Sequence, residues 1–200
     1  VQYGILKSAV NTGLDSELQC VFSAPLTIIS NQPAYVQDMM SLKRRAASQG
    51  VQRWEITAGI AASNDSPNFL VHSIANGYET PFYIRMPQVA GLKLTNATNT
   101  VLGNTVFGNT IIDITGLGIT TGEFIQFQGH SKVYNVIEGG NSLFIRIKPA
   151  LEITVANGTP IISGGKVTLT ARYDQATKLG MTYVDGMLSD QGSVTFIEAL

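Results

Sequence analysis

Residues 51–61, VQRWEITAGIA, hold the chain's only tryptophan and its cleanest two-residue alternation. Trp54, Ile56, Ala58 and Ile60 fall on one face, and Arg53, Glu55 and Thr57 on the other. Side chains along a strand point alternately to opposite sides, so this pattern predicts a half-buried antiparallel strand. It is read as the central strand of the first sheet, with Trp54 as a core anchor.

The flanking sequence is read outward from that strand. Residues 1–17 carry turn signals at Asn11, Thr12, Gly13 and Asp15 and are expected to form an arm rather than a packed element. Two short strands, 18–22 and 26–30, are predicted on either side of Ser23-Ala24-Pro25, giving with the arm an N-terminal region over 1–35. Residues 40–47 are expected to pair with the Trp54 strand through a Gln49-Gly50 turn. Ser66 as N-cap and Pro67 at the first helical position open a helix whose stripe is Phe69, Leu70, Ile74 and Val71, with Gly77 ending it. A strand over 80–86 then sends Phe82 and Ile84 to one side and Tyr83 and Arg85 to the other.

Beyond residue 88 the composition changes. Between Leu92 and Gly122 the only charges are Lys93 and Asp113, and Asn, Thr and Gly recur among β-branched residues. Short strands over 93–95, 110–115, 124–127, 132–137 and 143–147 predict a separate small barrel or sandwich over 88–163. Residues 166–173 and 193–200 resume the first domain, which is therefore discontinuous, 36–87 plus 164–200. If the strand after Gly164-Gly165 pairs with the Trp54 hairpin, the barrel is an insertion.

Charge and residue chemistry narrow the function. A net charge of −1 with 14% charged residues supplies no general attraction for nucleic acid or an anionic membrane. The cluster Lys43-Arg44-Arg45 is split between two faces by alternation and favours edge or intersubunit salt links over phosphate contacts. Phe124, Phe127, Tyr134 and Phe144, with Lys132, Arg146 and Lys148 nearby, would be the material of an oligonucleotide groove, but alternation places most of those rings in the core. A single cysteine, Cys20, among apolar neighbours reads as an inert buried thiol. His72 and His130 are the two histidines, and neither lies in a catalytic motif; an enzyme would have to use His130 with Glu123 or Asp113 as acid and base. Carboxylates are scattered singly, so no metal and no cofactor is expected. No apolar run approaches the ~20 residues of a spanning helix, and VQYGILKSAV lacks the pattern of a secretion signal, so synthesis in the cytoplasm is expected.

Three stretches, SLKRRAASQGVQRWEITAGI at 41–60, TPFYIRMPQ at 80–88 and DGMLSDQGSVTFIEAL at 185–200, together with GEFIQFQGHSKVYNVIEGGNSLFIRIKPALE in the central module, carry a resemblance. Their order and spacing resemble the distal tail and baseplate-ring proteins of tailed bacteriophages, over about residues 36–200. The resemblance implies a mainly β fold: a β-sandwich or ring-forming sheet domain with one short helix, plus an inserted small OB-like β-barrel. It implies a virion protein of the tail tip or baseplate, not an enzyme. Such a protein forms a ring with itself, usually a hexamer, and joins tail tube to hub or receptor-binding apparatus. Lys43, Arg45, Arg53 and Glu55 are then the candidate intersubunit contacts. The alternative function is a carbohydrate or host-surface binding module, with Lys132, Tyr134 and Arg146 as candidates on the barrel surface and a host glycan as partner.

Overall fold

The computed structural model describes residues 2–38, 44–48, 50–61, 67–76, 78–88, 99–116, 118–139, 143–174 and 180–199, and the statements below concern these. The fold is mainly β, with a large sheet and a closed barrel. The Trp54 strand is β5 (Arg53–Ala61), held between β2 (Leu18–Asn31) and β15 (Met187–Glu198). Trp54, Ile56, Ala58 and Ile60 are all buried, as alternation requires. The sheet runs β13-β6-β1-β2-β5-β15-β14, where β1 is Gly4–Leu6, β6 Phe82–Arg85, β13 Thr168–Tyr173 and β14 Thr182–Val184. Because β15 also pairs with β13, the strands from β13 round to β15 close on themselves, leaving β14 at the edge.

The interior of this closed sheet is aromatic. Phe82 stands edge-on to Tyr173 at 4.8 Å and to Phe196 at 6.0 Å, and Tyr173 stacks on Phe196 at 5.1 Å. The helix α1 (Pro67–Asn76) starts at the predicted proline and docks by Phe69, whose ring lies 5.9 Å from Phe82. Its buried Ser73 hydroxyl meets the Tyr173 hydroxyl at 3.1 Å. The predicted cap Ser66 and the terminating Gly77 lie outside the described residues.

Four local expectations are corrected. Residues 4–6 are not part of an arm: β1 is wholly buried between β2 and β6, and Gly4 is required because a Cβ there would sit 1.9 Å from the Cys20 carbonyl oxygen. The two strands expected around Pro25 are one, β2, whose register against β5 jumps between Ser23 and Thr27; the proline occupies that irregularity, where no ladder N–H is needed. Strand β4 (Arg44–Ser48) pairs with β3 (Ala34–Asp38), not with β5. Both edges of β5 are taken by β2 and β15, which bring apolar partners such as Ile28 and Phe196 that Arg44-Arg45-Ala46 cannot match. Finally, Arg85 is not on a solvent face. The residues before β2 fold over it, and it bonds the Asp15 carboxylate at 2.7 Å, the Gln2 carbonyl at 3.2 Å and the Leu14 carbonyl.

The central module is a closed barrel of antiparallel strands in the order β10-β11-β8-β7-β12-β9. Strands β8 (Ile111–Thr115), β9 (Phe124–Phe127), β10 (Tyr134–Glu138) and β11 (Phe144–Lys148) match predicted ones closely, while β7 (Asn99–Val101) and β12 (Pro160–Ser163) were not foreseen. The expected strand at 93–95 lies outside the described residues. Six strands are one more than an OB-fold has. Ile112, Ile114, Ile125, Phe127, Tyr134, Val136, Ile145 and Ile147 fill the interior.

The barrel leaves and rejoins the sheet between two neighbouring strands. After the barrel, β13 pairs with β6, with Thr168 opposite Arg85, and with β15, the neighbour of the Trp54 strand, so the barrel is inserted although β13 does not pair with β5 itself. The Met86 amide donates to the Val167 carbonyl at 3.0 Å, so both ends of the insertion meet at one rung. Buried Gln88 clamps this neck: its amide nitrogen donates to the carbonyls of Phe124 and Gly164, and its oxygen accepts from the Phe124 amide at 2.9 Å.

Candidate functional site

The most structured polar cluster lies at the seam between sheet and barrel. Alternation along β15 puts Val194, Phe196 and Glu198 on the core face, so the last of these carries a carboxylate into the interior. Facing it from the barrel is Lys132, just before β10. Its ammonium lies 2.6 Å from a Glu198 oxygen and 2.5 Å from the Gln52 carbonyl, with the Glu152 carboxylate 3.6 Å away. The Glu198 carboxylate also accepts from the Trp54 amide at 3.0 Å and the Val133 amide at 3.3 Å. Burial pushes the Glu198 carboxyl above the ordinary glutamate range, opposed by the Lys132 charge and by these hydrogen bonds. The Trp54 indole completes the joint, donating to the Val133 carbonyl at 2.8 Å and standing edge-on to Phe124 at 5.1 Å. A buried pair with its oxygens met by backbone N–H groups is costly to break by removing one partner.

Beside this joint opens a cleft of ≈ 380 Å³ lined by Asn31, Pro33, Val51, Gln52, Arg53 and Glu152. Gln52 is almost wholly buried, its amide nitrogen donates to the Ser30 hydroxyl at 3.1 Å, and its Oε1 has no hydrogen-bond partner among the described residues. On the cleft's rim the Arg53 guanidinium lies 3.1 Å from Glu55, whose carboxylate also accepts from Asn31 at 2.9 Å.

The predicted site residues are distributed unevenly. Arg53 and Glu55 are brought together, whereas Arg45 stands on the separate β3–β4 hairpin and Lys43 lies outside the described residues. Of the barrel-surface candidates only Arg146 is at the surface, paired with Glu138 at 3.1 Å. Lys132 and Tyr134 are corrected to interior positions: Lys132 because Glu198 and the Gln52 carbonyl draw it into the seam, Tyr134 because its strand face is the barrel core. The Tyr134 hydroxyl accepts from the Glu152 amide at 3.2 Å, and burial pushes its pKa up to about 12. Sequence reasoning missed Gln52, Gln88, Glu152 and Glu198. Glu198 was available to it, since it shares its parity with Val194 and Phe196.

Burial holds the Cys20 thiol at about 12 and pushes the His130 imidazole below the ordinary histidine value. His130 packs at 6.0 Å from the Phe127 ring, and Glu123 accepts from the Thr120 hydroxyl at 2.8 Å. Among the described residues no group of three or more His, Cys, Asp or Glu side chains is placed to hold a metal ion, and no helix is long and apolar enough to cross a membrane. No protein-family model matches the chain, and no curated protein matches it.

Proposed function

We propose that this chain is a ring-forming structural component of a bacteriophage tail tip or baseplate, an adaptor that joins the tail tube to the hub or receptor-binding apparatus. The observation that carries the reading is a pair of exposed hairpins leaving opposite ends of β5. The β3–β4 hairpin departs where Asn31 pairs with Arg53, and the β14–β15 hairpin departs where Asp190 pairs with Ala61. Neither packs its apolar side chains fully within the chain: Tyr35 and Val36 are exposed on the first, Tyr183, Val184 and Met187 on the second. Arg45 is exposed on the first and Asp185 on the second, charges of opposite sign. A two-stranded hairpin is marginal by itself and gains from a partner. Two unlike surfaces at opposite ends suit a head-to-tail contact, which closes into a ring when the rotation between copies allows. Arg45 belongs to such a contact; Arg53 and Glu55 flank its root.

The test is the oligomeric state. Multi-angle light scattering of the purified chain, and imaging of particles containing it, are expected to show a ring of several copies. Val36→Glu and Met187→Glu should each reduce the assembled fraction while shifting fold stability by no more than about 0.5 kcal/mol, the range of ordinary surface substitutions. A chain that stays monomeric in solution and is absent from tails removes the reading.

A further inference from the structure

We propose that Lys132 and Glu198 condense into an intramolecular isopeptide bond, Lys132 Nζ to Glu198 Cδ, which staples the barrel to the sheet. The proposal goes beyond ring assembly and does not depend on it. The buried ion pair is the form in which the two side chains meet on folding, and the cross-link follows from how they are held. The Lys132 nitrogen lies 2.6 Å from a Glu198 oxygen, with the two side chains 3% and 0% exposed. A nitrogen so placed needs only a small displacement to reach the carboxyl carbon. Partners fixed in this way react as though present at roughly 10⁵–10⁸ M, which offsets the reluctance of a free acid and amine to condense. Arg85, also buried and paired with Asp15 at 2.7 Å, has no such chemistry, because a guanidinium stays charged and is no nucleophile.

Three features of the seam supply what the reaction needs. Away from water an ammonium and a carboxylate gain by passing one proton between them to become amine and acid, and burial already pushes the Glu198 carboxyl above the ordinary glutamate range, toward the acid. Backbone donors stand on both carboxyl oxygens, the Trp54 N–H on one at 3.0 Å and the Val133 N–H on the other at 3.3 Å, and they stabilise the negative oxygen that forms as the nitrogen adds to Cδ. The Glu152 carboxylate, 3.6 Å from the nitrogen, is the proton relay. The Lys132 lone pair forms the N–C bond, and Glu152 takes a proton from that nitrogen and returns it to the hydroxyl oxygen of Glu198. The C–O bond then breaks, and the oxygen leaves with both protons as water. Glu152 ends as it began, and nothing is oxidised or reduced. Glu152 also lines the open cleft beside the joint, which gives the water a way out. In the product, the remaining amide N–H has the Gln52 carbonyl, 2.5 Å from the lysine nitrogen, as its acceptor, and the amide carbonyl keeps one of the two backbone donors.

Intact mass spectrometry of the purified full chain under denaturing conditions tests this. The chain is expected to be lighter than its sequence mass by one water, and a protease digest should hold a branched peptide that joins Lys132 to Glu198. Lys132→Arg keeps the charge but removes the nucleophile, and should give the full sequence mass. Glu152→Gln leaves both reacting groups in place and changes a partly exposed side chain, so the fold is expected to persist. It should slow cross-linking at least tenfold, read as the fraction cross-linked at successive times after cell-free synthesis. A folded chain that keeps its full mass, a water lost at Asp185-Gly186 rather than between Lys132 and Glu198, or a Glu152→Gln chain that cross-links at the unaltered rate would each overturn the assignment. Rings built from full-mass chains, or a cross-linked chain that stays monomeric, separate this inference from the tail reading.

Discussion

Lys132 and Glu198 decide how firmly the barrel is seated. Each is buried, and each is the other's countercharge, so removing one strands the other in a low-dielectric joint. Lys132→Met should lower stability by about 3–5 kcal/mol in urea unfolding, the range for breaking a buried pair. The double variant Lys132→Met/Glu198→Leu should recover part of that loss, because no uncompensated charge remains; equal losses in the single and double variants would show that the pair matters only through packing. A second ion pair acts at the surface of the sheet. Hydrogen bonding to Arg85 holds the Asp15 carboxyl below its ordinary value of 3.8, and the Thr12 hydroxyl does the same for Glu17. A depressed carboxylate binds fewer protons folded than unfolded, so its stabilisation is complete above 3.8 and lost as pH falls through the folded value. Asp15→Asn is therefore expected to lower the urea midpoint at neutral pH, and the gap from the unaltered chain should shrink in acid below that point. A gap that is constant with pH would remove the carboxylate from the explanation.

Elements differ in how plainly their sequences announce them. Strand β5 was legible because its whole inward face is apolar and its outward face polar, and β9 because FIQF is bounded by Gly122 and the Gly129 turn. Strand β1 was not, since three residues carry too little alternation to outweigh the turn-forming sequence around them; its identity is set by two neighbours distant in the chain, β2 and β6. The same holds for β7 and β12, distant in sequence, which pair with each other as neighbours in the barrel wall. The β14–β15 turn is signalled by Asp185-Gly186, whose positive φ values of 51° and 78° are those such a dipeptide tolerates. Strand β1 offers a direct check. Gly4→Ala should destabilise the chain by about 1–3 kcal/mol, as overpacking does, because the added methyl meets backbone rather than a movable side chain. An unchanged unfolding midpoint would return residues 4–6 to the status of a loose arm.

At the scale of the molecule, the insertion and the β-rich class were readable from the change in composition after residue 88 and the return of alternation at 166. The seam was not. It is made by residues far apart in sequence, Gln52, Lys132, Glu152 and Glu198, and nothing local marks a lysine as a buried one. The one cue was the parity of Glu198 with Val194 and Phe196; Lys132 precedes β10, so alternation does not place it. Tyr134 is taken up by the barrel core and Lys132 by the seam, while Arg146 remains at the surface.

The single hydrogen bond between Met86 and Val167 bears on how such a chain arises. Where two ends of an insertion meet on adjacent rungs, the parent hairpin of β6 and β13 keeps its register whether the insert is present or not. An insertion of this geometry can be gained or exchanged without disturbing the sheet, and it is the contacts of Gln88 at the neck and Glu198 at the joint that fix the barrel in place. Lineages that share the sheet are expected to differ most between Met86 and Val167.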